Sequence, residues 1–312
     1  MSEELRQSIF KTLAFFDLFE YPLTREELYR FLWKAQKNLS PIDFLAFVDQ
    51  YDNIKYIEKK NGFYFLQGRE DVLDSRHVQT LETEKKMRIA KRGISKLRYI
   101  PFIRSVFVCN TVAGGYPTKE SDIDVCIIVR DGRLWIARFF ANLMLKILRL
   151  RTSATQERDK ICLSFFISEK RLNLFDLRIA DQDIYLAYWL TQLVPVYDPE
   201  NLHESIMRAN NWVKEVLPYA FQAYDLIDRW KVVDSKISLF FKKIGENLWG
   251  GGYGNLIEDQ TKKIQMPKVT LHYGDFAKQN NSNVIIADDI LKFHKNDRRE
   301  EYRGRWLDHM VT

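Results

Sequence analysis

Two aspartates one residue apart, Asp122 and Asp124, open onto an apolar run, Val125-Cys126-Ile127-Ile128-Val129. Successive side chains of a strand point to opposite faces, so residues two apart share a face and both carboxylates converge on one side of a sheet. Oxygen donors set that way suit a hard divalent cation, Mg²⁺ or Mn²⁺. They can hold one ion or bridge two at roughly 3.5 to 4 Å, as in two-metal phosphoryl-transfer sites. Upstream, the apolar run Val106-Phe107-Val108-Cys109 leads into Asn110-Thr111-Val112-Ala113-Gly114-Gly115. Glycines let backbone approach a ligand closely, and a turn exposing successive N–H groups can cradle an anion; Thr111 adds a hydroxyl donor.

The elements needed to position this pair are legible around it. Residues 105–109 and 122–129 read as buried strands, 134–150 as a covering helix and 160–168 as a further strand, with another short strand expected over 172–179. From residue 181 helices are expected to dominate, over 184–193, 203–217, 219–229, 235–249 and 255–263, punctuated by Pro195, Pro199, Pro218 and Pro267. The tail reads as strand-like or irregular over 284–293 and helical over 297–309. Gly250 to Gly254 lacks the lysine ending of a phosphate loop and reads as a hinge between helices.

Before the pair, residues 4–19 carry Leu5, Ile9, Leu13, Phe16 and Phe19 at helical spacing. Thr24 with Glu27 forms a capping-box signature for a second helix, and Ser40-Pro41 starts a third over 40–51. Two short strands follow, over 54–57 and 62–66, joined through Asn61-Gly62. Three helices and a hairpin make a winged-helix pattern. Its third helix carries Asp43, Asp49 and Asp52 and no basic residue, which favours a structural or protein-contact role over DNA reading. Residues 69–98 read as one long connecting helix. Its basic stretch over 85–98 (Lys85, Lys86, Arg88, Lys91, Arg92, Lys96, Arg98) is either a solvated face or an electrostatic guide for nucleic acid or a nucleotide.

The 312 residues, 46% hydrophobic and 29% charged, describe a globular chain of two or three domains rather than a disordered or fibrous one. The opening residues lack the basic start and unbroken apolar core of a secretory signal, and the most apolar helix is interrupted by Arg138 and Lys146. A cytoplasmic protein with no membrane partner is therefore expected. Cys109, Cys126 and Cys162 show no CxxC spacing, and the five histidines lack zinc-ligand spacing. The net charge of +6 is compatible with an anionic partner without specifying one.

Asn110-Thr111-Val112-Ala113-Gly114-Gly115 followed by Ser121-Asp122-Ile123-Asp124 resembles the Gly-Ser and Asp-x-Asp signature of the DNA polymerase β-like nucleotidyltransferase superfamily. The resemblance implies an α+β chain in four parts: a winged-helix-like module (1–68), a connecting basic helix (69–98), a small mixed-sheet nucleotidyltransferase domain (99–180) and a helical domain (181–312). It further implies an NTP substrate contacted by Asn110, Thr111, Gly114, Gly115 and Ser121, with Mg²⁺ or Mn²⁺ on Asp122 and Asp124. A third carboxylate would complete catalysis. The family's position for it falls at Cys162 or Ser164, and Asp159 is the nearest acid, with Glu157 and Glu169 behind it. The expected reaction moves a nucleoside monophosphate to a hydroxyl acceptor on a small molecule, a protein or an RNA end. The alternative is a catalytically silent regulator, binding nucleotide or nucleic acid on the same fold.

Overall fold

The computed structural model describes residues 2–50, 56–153, 155–222, 226–279 and 282–311. The chain is a mixed α+β protein with two sheets. The N-terminal part contains α1 (Ser2–Asp17), β1 (Leu23–Thr24), α2 (Arg25–Arg30), α3 (Pro41–Gln50), β2 (Ile57–Lys60) and β3 (Phe63–Leu66). The three strands form an antiparallel sheet in the order β1-β3-β2. Thr24 and Glu27 close the expected capping box, and Ser40 Oγ accepts from the Asp43 N–H. The hairpin turns at Asn61-Gly62, both with positive φ. Its first strand starts at Ile57 rather than ending there, and residues 51–55, on which the rest of that expected strand and the end of the third helix fall, lie outside the described residues.

The long helix α4 (Val72–Leu97) leads into the larger sheet. The sheet is entered through β4 (Ile103–Val108), α5 (Asn110–Gly114), β5 (Ile123–Val129), α6 (Leu134–Ile147) and β6 (Ile161–Ser168). Then follow α7 (Ile184–Gln192), β7 (Val194–Tyr197), α8 (Leu202–Ala209), α9 (Lys236–Trp249), α10 (Gly252–Ala277), β8 (Val284–Ile286), β9 (Ile290–Phe293) and α11 (Arg299–Val311). The six strands lie in the order β7-β4-β5-β6-β9-β8. Only the β5–β6 pairing is parallel. A parallel pair needs a crossover, and α6 supplies it.

Several expectations are corrected. Within the segment read as mainly helical, Val194–Tyr197 is a strand of the larger sheet, while β8 and β9 fall in the tail read as strand-like. Pro195 lies within β7, which is tolerated because β7 is an edge strand where a missing N–H costs no ladder bond. β9 occupies the free side of β6, and the strand expected over 172–179 is instead a 3₁₀ turn at Phe175–Leu177. The helix expected over 203–217 breaks at Asn210. There the buried amide donates to the carbonyls of Leu172 and Ile206 and accepts from the Leu174 N–H, tying the break to the segment after β6. Among the described residues of 219–229 there is no helix, and 223–225 lie outside them. Pro267 sits inside α10 instead of ending it. Gly250 and Gly251 link α9 to α10 as a helix-to-helix connection. Among the described residues no helix is long and apolar enough to cross a membrane.

The larger sheet is buried on both faces. Val106, Val108, Ile123, Val125, Ile127 and Val129 meet Met87, Ala90, Ile94 and Leu97 of α4, together with α6. On the other face Phe107, Cys126, Ile128, Phe165 and Ile167 meet α7 and the N-terminal helices. That second contact is aromatic: Phe15 stacks on Tyr188 at 4.2 Å between ring centroids, and Phe19 on Tyr116 at 4.3 Å.

The C-terminal strands are fastened by an ion cluster. Asp297 binds Lys292 at 2.8 Å and Arg299 at 2.8 Å, and Arg299 also reaches Asp183, the N-cap of α7, at 2.9 Å. Burial would raise the Asp297 pKa, but the hydrogen bonds and charges of Arg299 and Lys292 outweigh it and hold the carboxyl well below the usual range. A carboxyl with a depressed folded-state pKa adds stability above its unfolded value, about 4, and loses it as pH falls toward the folded value. Asp297→Asn should cost about 3 kcal/mol at neutral pH and flatten the loss of stability below about pH 5, as read by urea unfolding across pH. An unchanged acid limb would show that the cluster contributes nothing.

Candidate metal centre

β5 carries Asp122 just before its first residue and Asp124 within it, both half-buried. Parallel pairing sets Asp124 opposite Cys162 of β6. The register then slips, so that Cys126 pairs with Phe165, one residue further than regular pairing allows. This bulge lets Phe165 and Ile167 join the core on the face of Cys126 while Cys162 and Ser164 both serve the carboxylates. Bulges re-aim side chains in this way beside functional sites. Asp122, Asp124 and Cys162 each offer one ligand atom, all within 4.8 Å of one another.

Asp124 is held from both sides. Asn110 Nδ2 donates to its Oδ2 at 2.7 Å and buried Ser164 Oγ to its Oδ1 at 3.2 Å. Trp189 Nε1 of α7 donates to Asn110 Oδ1 at 2.8 Å, fixing which way the amide points. Asn110 itself adopts φ of 55°, the left-handed backbone that asparagine tolerates well. Burial, followed by the Asp124 charge, pushes the Asp122 carboxyl up to about 7, while the Cys162 thiol lowers it by hydrogen bonding. Burial and the two carboxylates likewise push the Cys162 thiol well up. A divalent ion there would replace the proton of the Cys162 thiol.

The other expected residues take different places. Asn110–Gly114 is one short helix, α5, rather than an open glycine turn. Asn110 stands at its start and Gly115, with φ of 87°, caps its end. A Cβ on Gly114 would lie 2.3 Å from the Tyr116 ring and one on Gly115 2.6 Å from the Tyr21 hydroxyl. Both glycines therefore make room for the aromatic contact with the N-terminal part. Half-buried Thr111 lies in the first turn of α5, and its carbonyl accepts from the Tyr116 N–H. Ser121 Oγ accepts from the Thr118 N–H, and its carbonyl accepts from Lys86.

Asp159 is not brought into the group. Its carboxylate binds Lys85 at 2.6 Å and Lys86 at 2.8 Å. Burial would raise its pKa, but the hydrogen bonds of Lys85 and Lys86 and their charges outweigh that and lower it. Lys86 is fully buried and also donates to the carbonyls of Lys119 and Ser121, so the pair anchors α4 to the loop before Asp122. Much of the basic helix is spent in the same way. Arg88 binds Glu84, and Lys91 and Arg98 donate to the carbonyls of Arg229 and Val233.

Beside Asn110 lies a cavity of about 150 Å³ walled by Phe165, Tyr185, Trp189, His294 and Tyr302. Lys292 of β9 and His294 just after it reach the cavity, and no local signal sets β9 next to β6. Burial lowers the His294 pKa against the opposing pull of Asp124. The part played by Trp189 was equally hidden, since its indole sits among aromatics at ordinary helical spacing. Comparison of the chain with protein-family models, with curated proteins and with solved structures gave no match.

Gly115→Val tests the reading of the glycines. It should lower stability by about 2 to 3 kcal/mol, from backbone strain at positive φ and collision with Tyr21, with cation binding by the folded fraction unchanged. Thermal melts and cation titration check this. Unchanged stability with lost ligand binding would make Gly115 part of a ligand cradle instead.

Proposed function

We propose that the chain is a divalent-cation-dependent nucleotidyltransferase that moves a nucleoside monophosphate from an NTP to a hydroxyl acceptor, on a fold related to the DNA polymerase β-like superfamily. The observation that carries this reading is the convergence of Asp122 and Asp124 on one face of a strand end, with Asp124 held by Asn110 from the segment that resembles the family's signature. The three helices and small antiparallel sheet before α4 support the winged-helix-like module of the same resemblance. Three free thiols suit the reducing cytoplasm in which the reading puts the protein.

Asp122 and Asp124 would hold the cation, which when bound neutralises charge on the triphosphate. The acceptor hydroxyl gives up its proton to solvent water as its oxygen bonds to the α-phosphorus, the bond to the bridging oxygen breaks, and pyrophosphate leaves. The chain's own work is mostly positioning: Asn110 and Ser164 fix both oxygens of Asp124, and the sheet fixes its distance from Asp122. The resemblance implies Mg²⁺ or Mn²⁺. The two carboxylates fit such an ion, whereas the third donor is the thiol of Cys162.

One observation favours a second reading, a nucleotide-binding regulator without turnover. Where the resemblance calls for a third carboxylate, β6 offers Cys162 and Ser164, and the acid just before the strand, Asp159, is tied to two lysines. Incubation with labelled NTPs, Mg²⁺ or Mn²⁺ and cell extract separates the two. Transfer of label by the wild-type chain, falling at least roughly a hundredfold in Asp122→Asn/Asp124→Asn, is the expected result. Binding of NTP without label transfer would establish the regulator, and equal labelling by both proteins would remove the enzyme reading.

A further inference from the structure

We infer that Asp122, Asp124 and Cys162 form a site for a thiophilic divalent cation, of the zinc and cobalt class, in preference to magnesium. The inference concerns the site just described but needs only its donor set, not the transfer reaction.

The donors decide it. Mg²⁺ demands oxygen ligands in near-octahedral geometry and is not held by sulfur, whereas thiolate selects zinc and its borderline neighbours. Here the parallel register fixes Cys162 opposite Asp124, and its sulfur lies within 4.8 Å of a ligand oxygen of each aspartate. Asp159, the acid just before β6, is drawn off by Lys85 and Lys86. Of the three cysteines, Cys109 and Cys126 are buried, and Cys162 alone is partly open to solvent. Two carboxylates and one thiolate leave a fourth position free, which is how zinc is held where water or a substrate must also bind.

The surroundings are those of an oriented metal site. Buried Ser164 donates to one oxygen of Asp124 and Asn110 to the other, with Asn110 itself held by Trp189, so lone pairs on a chosen side stay available. Such supporting hydrogen bonds, when removed, cost metal sites roughly ten- to a hundredfold in affinity. Binding forms a metal–sulfur bond and releases the thiol proton to solvent; nothing is oxidised or reduced.

The test titrates the full chain, in the absence of nucleotide, with Co²⁺, following the near-ultraviolet sulfur-to-cobalt charge-transfer band. A stoichiometric band, displaced by equimolar Zn²⁺ but not by a large excess of Mg²⁺, is expected. Cys162→Ser should abolish it, and Ser164→Ala should weaken binding roughly tenfold. Cys162→Asp should abolish the band yet let Mg²⁺ displace Co²⁺ in equilibrium dialysis, since the third donor is then an oxygen. Circular dichroism and melting curves of each variant establish that it folds. The inference is overturned if the wild-type chain gives no band, if Cys162→Ser keeps it, or if Mg²⁺ competes equally well in the wild-type chain. A cobalt band without any nucleotidyl transfer would leave this inference standing and remove the transferase reading alone.

Discussion

Asp122 and Asp124 repel each other, and burial makes the repulsion worse, so the strand end that carries them is unfavourable unless something answers both charges. The rest of the larger sheet can be understood as the frame that makes this arrangement tolerable. Parallel pairing with β6 brings a thiol and a hydroxyl to the carboxylates, α5 brings an amide, and α7 brings the indole that fixes the amide. Burial and the Asp124 charge still raise the Asp122 carboxyl despite the hydrogen bond from Cys162. A bound cation answers both charges directly.

That frame is tied to the whole chain. α5 is pressed between β5 and the N-terminal part, and Gly114 and Gly115 are small because Tyr116 and Tyr21 fill the space beside them. Tyr116 in turn stacks on Phe19, and Tyr188 of α7 on Phe15, so the helix that supplies Trp189 rests on the N-terminal helix. From the other side, buried Lys86 of α4 holds the loop leading into Asp122 through two carbonyls and Asp159. A rearrangement of the N-terminal part would therefore reach the carboxylates through Tyr116 to α5 and through Tyr188 to α7.

Much of this was legible in the sequence. The strand period placed Asp122 and Asp124 on one face, the apolar runs located β4, β5 and β6, and Thr24, Ser40 and Asn61-Gly62 marked helix starts and a hairpin that exist. The positions on β6 expected to face the pair, Cys162 and Ser164, do face it. What stayed hidden depends on pairing across long separations. Nothing local to Val194–Tyr197, with a proline inside it, or to Ile290–Phe293 says that they extend the same sheet. Likewise Gly114 and Gly115 look like a ligand turn until the tyrosines that need their space are in view, and Asp159 looks available until Lys85 and Lys86 arrive from a distant helix.

The central claim is that the two aspartates and Cys162 act together on one cation. Anomalous diffraction at the zinc edge, from crystals grown with zinc and an excess of magnesium, tests it most directly. The expected result is an anomalous peak within bonding distance of Asp122, Asp124 and Cys162 Sγ, with Asn110 and Ser164 still on Asp124. An ion on the carboxylates with the thiol turned away, or no peak between β5 and β6, would contradict it.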